Sequence, residues 1–507
     1  MAILTRTSVL GIKKESTDGV LEQPTSGSDY TPLREGFSFQ GGVESLTTNE
    51  LTGQRETSAP ILGKETPTGS IPKYLKGSGT EGSEPDYGLL IEACLGSVDV
   101  NSTEFDLIAG STAGTSAARA NLKLDVGEGA SFQKGQALLI KDGTNGYKIR
   151  NVQDISTDDL KLNFNLASAP ASGVKLGKAI HYSPSVANPP SFSAHLYQGQ
   201  SGSAYHNAIA GCRTTSMSMT LPAGGLGEIN FEISGTKFYF NPIEVTATKK
   251  YIDFVDSVGT KVAILSEKVY KTPVDFAAEV QAKMDAASLD AITCTFDSTT
   301  GKFTISSGGT VLTLKTTSGA NVANSAFSLL GFSGADKTGA LTYVSGDAQN
   351  YDSPFAPTFD NVDPIVVKNA ELLIGDFFEV NCRKALDISF SVDAPKQDAN
   401  SVCSETGVGE SVSLSLDSTF SATIQLEKHE VAMFDKFINN KTSQIMFNAG
   451  VKDGAGNWIA GKCVNICMMN AKISGDVIAD NNGIAVLQIE AKGFGTGTEK
   501  SFHINFL

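Results

Sequence analysis

Cys463 and Cys467 are the residues whose spacing comes nearest to a chemical site, since neighbouring thiolates can hold a zinc ion. A structural zinc site needs a second pair of Cys or His ligands, and no such pair lies nearby in the sequence. The two cysteines fall in an apolar run that favours a β-strand, where residues four apart share a face. We therefore interpret them as two buried thiols, and we predict no metal site.

Signatures of catalysis or phosphate binding are missing as well. The sequence has no Gly-x-Ser-x-Gly elbow, no cysteine-protease signature and no GxxxxGK[ST] phosphate loop. The run Asp142–Gly146 is similar to a calcium loop but lacks the acidic residue that closes one. A triad assembled from distant residues stays open, since five histidines are scattered along the chain: His181, His195, His206, His429 and His503. The motifs predict no enzyme and no cofactor.

The composition restricts the class of protein further. The 507 residues are 40% hydrophobic, include 51 glycines and carry a formal net charge of −15. An acidic chain is not expected to grip a nucleic-acid backbone, although repulsion from DNA could itself be useful. Seven cysteines, an odd number without regular spacing, predict reduced and mostly buried thiols. Neither a signal peptide nor a membrane span is visible, so we expect a soluble protein assembled in a cytoplasm, without membrane contact.

One stretch of the sequence occurs twice. Ile459–Gly461 repeats the triplet Ile209–Gly211, and both triplets open a run that leads through a turn into a second apolar strand. The alignment that starts from the triplets, with a shorter turn in the first copy, matches three further pairs: Met219 with Met469, Glu232 with Glu490, and Gly235 with Gly493. Repeats this far apart indicate a duplicated domain, because solenoid repeats recur within a few tens of residues.

The duplication and the segments without a counterpart divide the chain into four predicted domains. Residues 1–98 together with 189–242 form the first copy, and residues 353–507 form the second. Short strand patterns separated by turn signals predict a small β-barrel-like insert at 99–188. At 243–352, a helix capped by Thr272 and four strands predict an α+β insert.

Each copy is predicted to be mainly β with one short helix. The first helix spans 86–95 and ends at Gly96, and the second spans 429–438. Strict alternation of apolar and polar residues at Leu386–Val392 and Phe420–Leu426 predicts half-buried antiparallel strands. The fold class is therefore mainly β with a minor α+β part, built from two tandem β-sandwich domains and two small inserts.

The order of elements in each half resembles the tail tube proteins of long-tailed bacteriophages: a long polar loop, a strand, a short helix and a turn-linked hairpin. In the second half the similarity lies in Phe420–Leu426, helix 429–438, the turn at Asp453-Gly454, and strands 459–474 and 484–493. In the first half it lies in Glu50–Gly53, helix 86–95 and hairpin 209–235. Three segments of the α+β insert resemble a module that recurs in phage virion proteins: Pro273–Ala278, Gly301–Ile305 and Leu329–Phe332.

This resemblance implies a structural virion protein, the major tail tube subunit of a siphovirus-like phage. Members of the family form rings, usually of six subunits, whose hairpins join into one β-barrel around a channel. With two tube folds per chain, three chains would complete a pseudo-sixfold ring. The implied partners are further copies of the chain, tail-tip and terminator proteins, and, in the channel without specific binding, tape-measure protein and genomic DNA.

The resemblance also assigns candidate functional residues. Glu232 and Glu490 are expected to line the channel, where an acidic wall repels DNA phosphates, the alternative being a solvated outer face. The loops 18–56 and 395–411 are expected to bridge stacked rings, and the inserts are expected to project outward as decorations. The ring-stacking candidates are Glu50, Thr52, Gly53, Asp398 and Glu405.

Two other functions stay open at this stage. A tail-tip or tail-terminator protein of the same fold would form a single ring without polymerising. A host-surface or adhesin-type β-protein would share the richness in Thr, Ser and Gly. The duplicated hairpin and the lack of a signal peptide favour the tube protein over the adhesin.

Overall fold

The structure is a computed structural model that describes residues 5–48, 59–108, 119–199, 205–309, 311–375, 384–404, 406–425 and 439–507. Over these residues the chain is mainly β with two α-helices, Gly88–Leu95 (α1) and Pro273–Ala287 (α2). The predicted fold class is confirmed. The predicted helix 429–438 lies outside the described residues.

The strands are numbered along the chain. Those of the first half are β1 (Val9–Lys14), β2 (Tyr30–Thr31), β3 (Ser38–Gln40), β4 (Val43–Leu46), β5 (Ile61–Glu65), β6 (Thr68–Tyr74), β7 (Gly96–Asn101), β8 (Phe105–Asp106), β9 (Asn121–Lys123), β10 (Ala137–Lys141), β11 (Lys148–Ser156), β12 (Asp159–Leu162), β13 (Lys175–Leu176), β14 (Ala179–Pro184), β15 (Phe192–Gln198), β16 (Tyr205–Pro222), β17 (Glu228–Ser234) and β18 (Lys237–Phe240). The remaining strands are β19 (Ile243–Glu244), β20 (Tyr251–Asp256), β21 (Gly259–Ile264), β22 (Val269–Tyr270), β23 (Ile292–Asp297), β24 (Lys302–Ser307), β25 (Leu312–Leu314), β26 (Lys337–Ala340), β27 (Thr342–Val344), β28 (Glu371–Gly375), β29 (Ala385–Asp393), β30 (Lys396–Asn400), β31 (Val408–Ser413), β32 (Asp417–Gln425), β33 (Thr442–Lys452), β34 (Trp458–Asn481), β35 (Ile484–Gly493) and β36 (His503–Phe506).

Eight strands from both halves form one antiparallel sheet, which we call the central sheet. Its order is β3-β6-β17-β16-β29-β32-β35-β34, with β16 and β34 taking part through their C-terminal halves. The first four strands come from the first half of the chain and the last four from the second half. The halves meet where β16 pairs with β29, with Met219 opposite Phe390. The two copies therefore share a continuous hydrogen-bonded sheet.

The N-terminal halves of β16 and β34 enter two further sheets. The first flanking sheet has the order β2-β1-β15-β16-β18. The second flanking sheet has the order β28-β33-β34-β36-β14-β7. The two flanking sheets share a four-strand order. In the first the order is β1-β15-β16-β18, and the strands in the same places of the second are β28-β33-β34-β36. The matching strand order shows the duplication at the level of topology.

The pairing also corrects the sequence alignment of the two hairpins. Glu232 lies opposite Ser216, and Glu490 lies opposite Gly475, so these two glutamates hold matching places as predicted. Met219 lies opposite Ile229, whereas the ladder of the second hairpin begins only at Ala471. The predicted match of Met219 with Met469 is therefore wrong. The extra residues of the second copy lie in the strand, because β34 has 24 residues and β16 has 18. The predicted shorter turn of the first copy is also wrong, because residues 223–227 separate β16 from β17 whereas residues 482–483 separate β34 from β35.

One large hydrophobic core lies between the central sheet, the flanking sheets and α1. Alternation along the strands builds it: Ile388, Phe390 and Val392 are buried, and the residues between them face the other side. Helix α1 contributes Leu90, Ile91 and Cys94 and ends, as predicted, at Gly96, whose φ of 98° a residue with a side chain rarely adopts.

The inserted segments have separate cores. Strands β8 to β13 form a sheet in the order β8-β13-β10-β11-β12-β9, and we call residues 102–178 the first insert. The second insert, residues 243–345, packs α2 against the sheets β21-β20-β25-β26 and β23-β24-β27. The Thr272 side chain accepts a hydrogen bond from the Asp275 amide at 3.1 Å, as expected of the predicted cap.

Candidate functional site

The central sheet has one packed face and one open polar face. Phe231, Met219 and Phe420 point into the core, while the residues that alternate with them point away from it. The open side, which we call the polar face, carries mostly hydroxyl, amide and acidic side chains: Ser38, Gln40, Thr68, Ser70, Ser216, Ser218, Thr220, Glu228, Asn230, Glu232, Asp387, Ser389, Ser391, Asp393, Asp417, Thr419, Ser421, Thr423, Lys472, Gln488, Glu490 and Lys492.

Both predicted channel residues lie on this polar face and both are exposed. Glu232 lies between Ser70 and Ser216 and accepts hydrogen bonds from Ser70 Oγ at 2.7 Å and Asn230 Nδ2 at 2.8 Å. Glu490 holds the matching place in the second copy, between Ser421 and Gly475. The structure thus brings the two glutamates onto one surface, although they are far apart in sequence.

The polar face is acidic over its described strands. Besides Glu232 and Glu490 it carries Glu228, Asp387, Asp393 and Asp417, against the two lysines Lys472 and Lys492. Lys492 pairs with Asp417 at 3.0 Å, and Arg34, from the loop before β3, pairs with Glu228 at 2.6 Å. No motif or repeat in the sequence identified these four additional acids. For Asp387 a signal existed, since it alternates with Ile388 and Phe390 in the predicted strand.

Hydroxyl groups on the polar face bond to one another across the strands. Ser389 and Ser421 lie 2.8 Å apart through their Oγ atoms, and Ser391 Oγ lies 2.6 Å from Thr419 Oγ1. Ser216 Oγ donates to the Asp393 carboxylate at 2.9 Å. These contacts occupy hydrogen-bonding groups that a passing phosphate could otherwise engage. The surface combines negative charge with hydrogen-bonding groups that are already partnered.

The central sheet ends in two open edges. Among the residues that the structure describes, the segment 475–481 of β34 pairs with β35 alone, and β3 pairs with β6 alone. Val477 and Ile478 on the first edge are 57% and 59% exposed. Unpaired strand edges are sites for pairing with another chain unless they are protected.

Two matching hairpins, which we call the arms, project from the same end of the central sheet. They are β4–β5 in the first copy and β30–β31 in the second, and they touch: Lys64 Nζ lies 3.2 Å from Asp398 Oδ2, and the Glu65 amide donates to the Thr406 carbonyl at 3.2 Å. Partial burial acts to raise the pKa of the Asp398 carboxyl. Hydrogen bonds and positive charge from Ser411, Lys396 and Lys64 outweigh burial and hold this pKa below its usual value.

Only one of the five ring-stacking candidates, Asp398, lies among the described residues. Asp398 lies in an arm, where it links the two copies within the chain. Glu50, Thr52, Gly53 and Glu405 lie outside the described residues. The arms carry exposed apolar side chains that no sequence pattern identified, among them Leu62, which is 75% exposed, and Val402, which is fully exposed.

The described cysteines and histidines are mostly buried. Cys463 and Cys467 are both buried free thiols, as predicted, and burial raises the pKa of Cys463 to about 12. Two histidine pairs lie inside the flanking sheets: His181 Nε2 is 3.0 Å from His503 Nδ1, and His195 Nδ1 is 2.9 Å from His206 Nε2. Burial lowers the pKa of all four, to about 4 for His195 and His503, so they are neutral at pH 7.

The described residues include no group of three or more His, Cys, Asp or Glu side chains placed to hold a metal ion. They also include no helix that is long and apolar enough to span a membrane.

Comparison with protein families gives one match. A family model described as phage tail tube protein matches residues 5–266, about half of the chain. The matched segment contains the first flanking sheet, the first four strands of the central sheet and the first insert. No curated protein matches the chain.

Proposed function

The chain belongs to the phage tail tube protein family, and on that premise we propose that it is the major tube subunit, with the polar face of its central sheet lining the channel. Membership makes it a structural protein of the virion tail and implies a structural, not an enzymatic, role. We further propose that its rings stack into a tube through which DNA and tape-measure protein pass.

The observation that carries this proposal is the continuity of the central sheet across the two copies. Each copy contributes four strands in the same order, and both present their polar sides to the same face. A sheet with a packed side and an acidic open side has the properties of a channel wall for DNA, because like charge keeps phosphates from binding.

The junction inside the chain supplies a template for the junction between chains. β16 pairs with β29 inside the chain, and the matching strands at the open edges are β34 and β3. Copying the register of the internal junction places Ala479 opposite Ser38 of the next chain and Ile478 opposite its Phe39. Three chains joined this way close a ring of six similar lobes, which removes both edges.

The other parts take their roles from this arrangement. Residues 1–98 with 189–242 and residues 353–507 supply the two tube folds, and β7 and β14, at the two ends of the predicted insert 99–188, complete the flanking sheet of the second fold. The rest of that insert and the insert 243–352 lie outside the channel wall. The arms leave the central sheet at one end, where their exposed Leu62 and Val402 are available to contact the adjacent ring. Their mutual contact through Lys64 and Asp398 holds both arms of a chain together for that purpose.

Electron microscopy of tails or of purified, polymerised protein tests the proposed function. We expect stacked rings with threefold symmetry, six similar inner lobes and the polar face toward the channel. Sixfold rings of whole chains would preserve the function but reject the trimer. Single rings that never stack would favour a tail-tip or terminator protein, and chains that form no ring, even with tail initiators, would favour the adhesin-type protein.

The charge of the polar face should control DNA passage. In phage carrying both Glu232→Lys and Glu490→Lys we expect tails to form, since both side chains are exposed, but DNA release to slow by about tenfold or more, because lysines bind phosphates. A DNA-binding dye outside the particles measures the release rate. High salt should restore it in part by screening the new charges.

The control for this experiment changes the same charge elsewhere. Asp106→Lys with Asp159→Lys alters two acids of the first insert, away from the polar face, and should leave the release rate unchanged. Equal slowing in the control, or unaltered release in the glutamate variant, would contradict a channel position for Glu232 and Glu490.

A further inference from the structure

The first insert interrupts the sequence of the first copy, but it packs against the sheet of the second copy. Its two tethering strands, β7 and β14, pair with each other from Gly96–Pro184 to Asn101–Ala179. β14 then pairs with β36, with Ile180 opposite Phe506 and Tyr182 opposite Ile504. The excursion from the first copy therefore completes the second flanking sheet.

A network of buried asparagines joins the first insert to that sheet. Asn151 of the insert and Asn465 of β34 exchange two side-chain hydrogen bonds, of 2.8 and 3.0 Å. Asn465 also donates to Asn448 at 2.6 Å and accepts from Asn505 at 2.9 Å, and the Asn505 side chain accepts from the Ala137 amide at 3.0 Å. All four asparagines are completely buried. Such a network is satisfied in only one orientation of its parts.

Apolar contacts surround the asparagine network. Trp458 of β34, which is 2% exposed, packs in a cluster with Ala137, Leu139 and Ile149 of the insert. On the other side, Phe164 of the insert packs with a group from the second flanking sheet: Leu373, Met446, Cys467 and Met469. Removal of the insert would expose these side chains to water, at a cost that rises with the apolar area.

The second insert differs in this respect. Its core is self-contained, and an open cleft of about 990 Å³ separates part of it from the first flanking sheet. Its described contacts with the body include an ion pair of Lys271 with Glu65 of β5, a hydrogen bond from the Phe240 amide to the Lys271 carbonyl, and the packing of Val269 against a small apolar cluster at the first flanking sheet. The two inserts therefore relate to the body in different ways.

We propose that the first insert, with β7 and β14, is an intramolecular clamp that fixes the second copy to the first, so that the chain reaches assembly as one rigid body. The clamp acts within each chain, and the junction between neighbouring chains has no corresponding clamp among the described residues of the second copy. This inference goes beyond the proposed function and can be tested in the unassembled chain.

Trp458 reports on the clamp because it is the single tryptophan of the protein. In the full-length Asn151→Ala variant, Asn465 loses its reciprocal hydrogen-bond partner. We expect the ratio of chains with an undocked insert to chains with a docked insert to rise about tenfold to a hundredfold. In mild denaturant, Trp458 should then show red-shifted emission and stronger acrylamide quenching before the sheets unfold. Asn165→Ala, a buried asparagine of the insert outside the network, is the matched control and should behave as wild type.

Excision of the insert gives the second test. Asn101 and Ala179 lie directly opposite each other, so an Asn-Gly turn can replace residues 102–178 and keep β7 paired with β14. We expect a β-rich chain with solvated Trp458 that does not form regular tubes. Straight tubes from the excised chain, or unchanged Trp458 quenching in Asn151→Ala, would overturn the clamp. Failure of the wild-type chain itself to form tubes would count against the proposed function and leave the fluorescence test intact.

Discussion

Replacing Ile478 with aspartate should abolish tube assembly and leave the isolated chain folded. Ile478 lies on the open edge of β34 and is 59% exposed, so the substitution costs the isolated chain little. It lies opposite Leu487, which is fully buried, and so it belongs to the core side of the central sheet. In the proposed ring the next chain's Phe39 covers it. An unpaired carboxylate buried there costs several kcal/mol at each junction between chains.

The neighbouring residue provides a matched control. Val477 is 57% exposed and lies opposite Gln488, on the polar face. Val477→Asp has nearly the same exposure and the same change in charge and strand propensity, but it points its carboxylate into the channel, where water remains. Sedimentation should show tubes for Val477→Asp and unassembled chains for Ile478→Asp, with equal circular dichroism spectra. Tubes from both variants would reject the pairing of β34 with β3.

The register of that junction can be measured directly. The background for this experiment is Cys403→Ser, because Cys403 is the exposed cysteine among the described residues. In this background, the double variant Ser38→Cys with Ala479→Cys should form disulfide cross-links between chains in assembled tubes. Covalent species should end at the trimer if the ring closes with three chains. Thr68→Cys with Ala479→Cys is the control, because Thr68 lies one strand further from the edge, opposite Gln40, and should not cross-link.

Replacing Ile504 with alanine should destabilise both copies together. Ile504 is completely buried in β36, which lies between β34 of the second copy and β14, the strand that leads from the first insert back to the first copy. The cavity left by the shortened side chain should lower the free energy of unfolding by about 2–5 kcal/mol. Urea denaturation followed by circular dichroism and by Trp458 fluorescence should show the loss in one shared transition of the central and flanking sheets.

A buried residue of the second insert tests the specificity of this effect. Ile305 is also completely buried, but in the separate core of that insert. Ile305→Ala should lower the stability of the insert alone and leave the Trp458 transition in place, since proteins with several cores need not unfold in one step. Two results would contradict the proposal that β36 joins the two copies into one unfolding unit. One is a Trp458 transition that moves equally in both variants, and the other is separate unfolding of the two copies in Ile504→Ala.

The family match and the duplication support each other. The match ends at residue 266, before any strand of the second copy begins. We propose the same fold for the second copy because its strands repeat the pairing order of the first, with Glu490 in the place of Glu232. The topology therefore supports our proposal of a second tube fold in a part of the chain that the family match does not reach.

Local patterns in the sequence were sufficient for part of this structure. The alternation at Leu386–Val392 predicted β29 and its polar side, because side chains of a strand alternate between its two faces whatever its neighbours are. Gly96 marked the end of α1 for a similarly local reason. The spacing from Glu232 to Gly235 equals that from Glu490 to Gly493, and this match between the two repeats placed both glutamates at corresponding positions of their hairpins.

The alignment of Met219 with Met469 shows where local similarity misleads. Identical triplets at Ile209 and Ile459 suggested a common starting point, but a strand of a different length shifts the register without any signal in its composition. Only the cross-strand partners, Ser216 for Glu232 and Gly475 for Glu490, show which residues correspond.

The sequence by itself determined the mainly β fold class, because alternation within short segments shows it, and it predicted a duplication from two similar stretches. It also placed Glu232 and Glu490 at matching positions of their hairpins. Only the tertiary structure decided that β16 of one copy pairs with β29 of the other, that Asn151 meets Asn465, and that Val477 and Ile478 lie on an open edge. Those contacts join segments more than a hundred residues apart or depend on a neighbouring strand. Their free energy comes from burial and hydrogen bonding between distant parts of the chain, which leaves no periodic trace in either part alone.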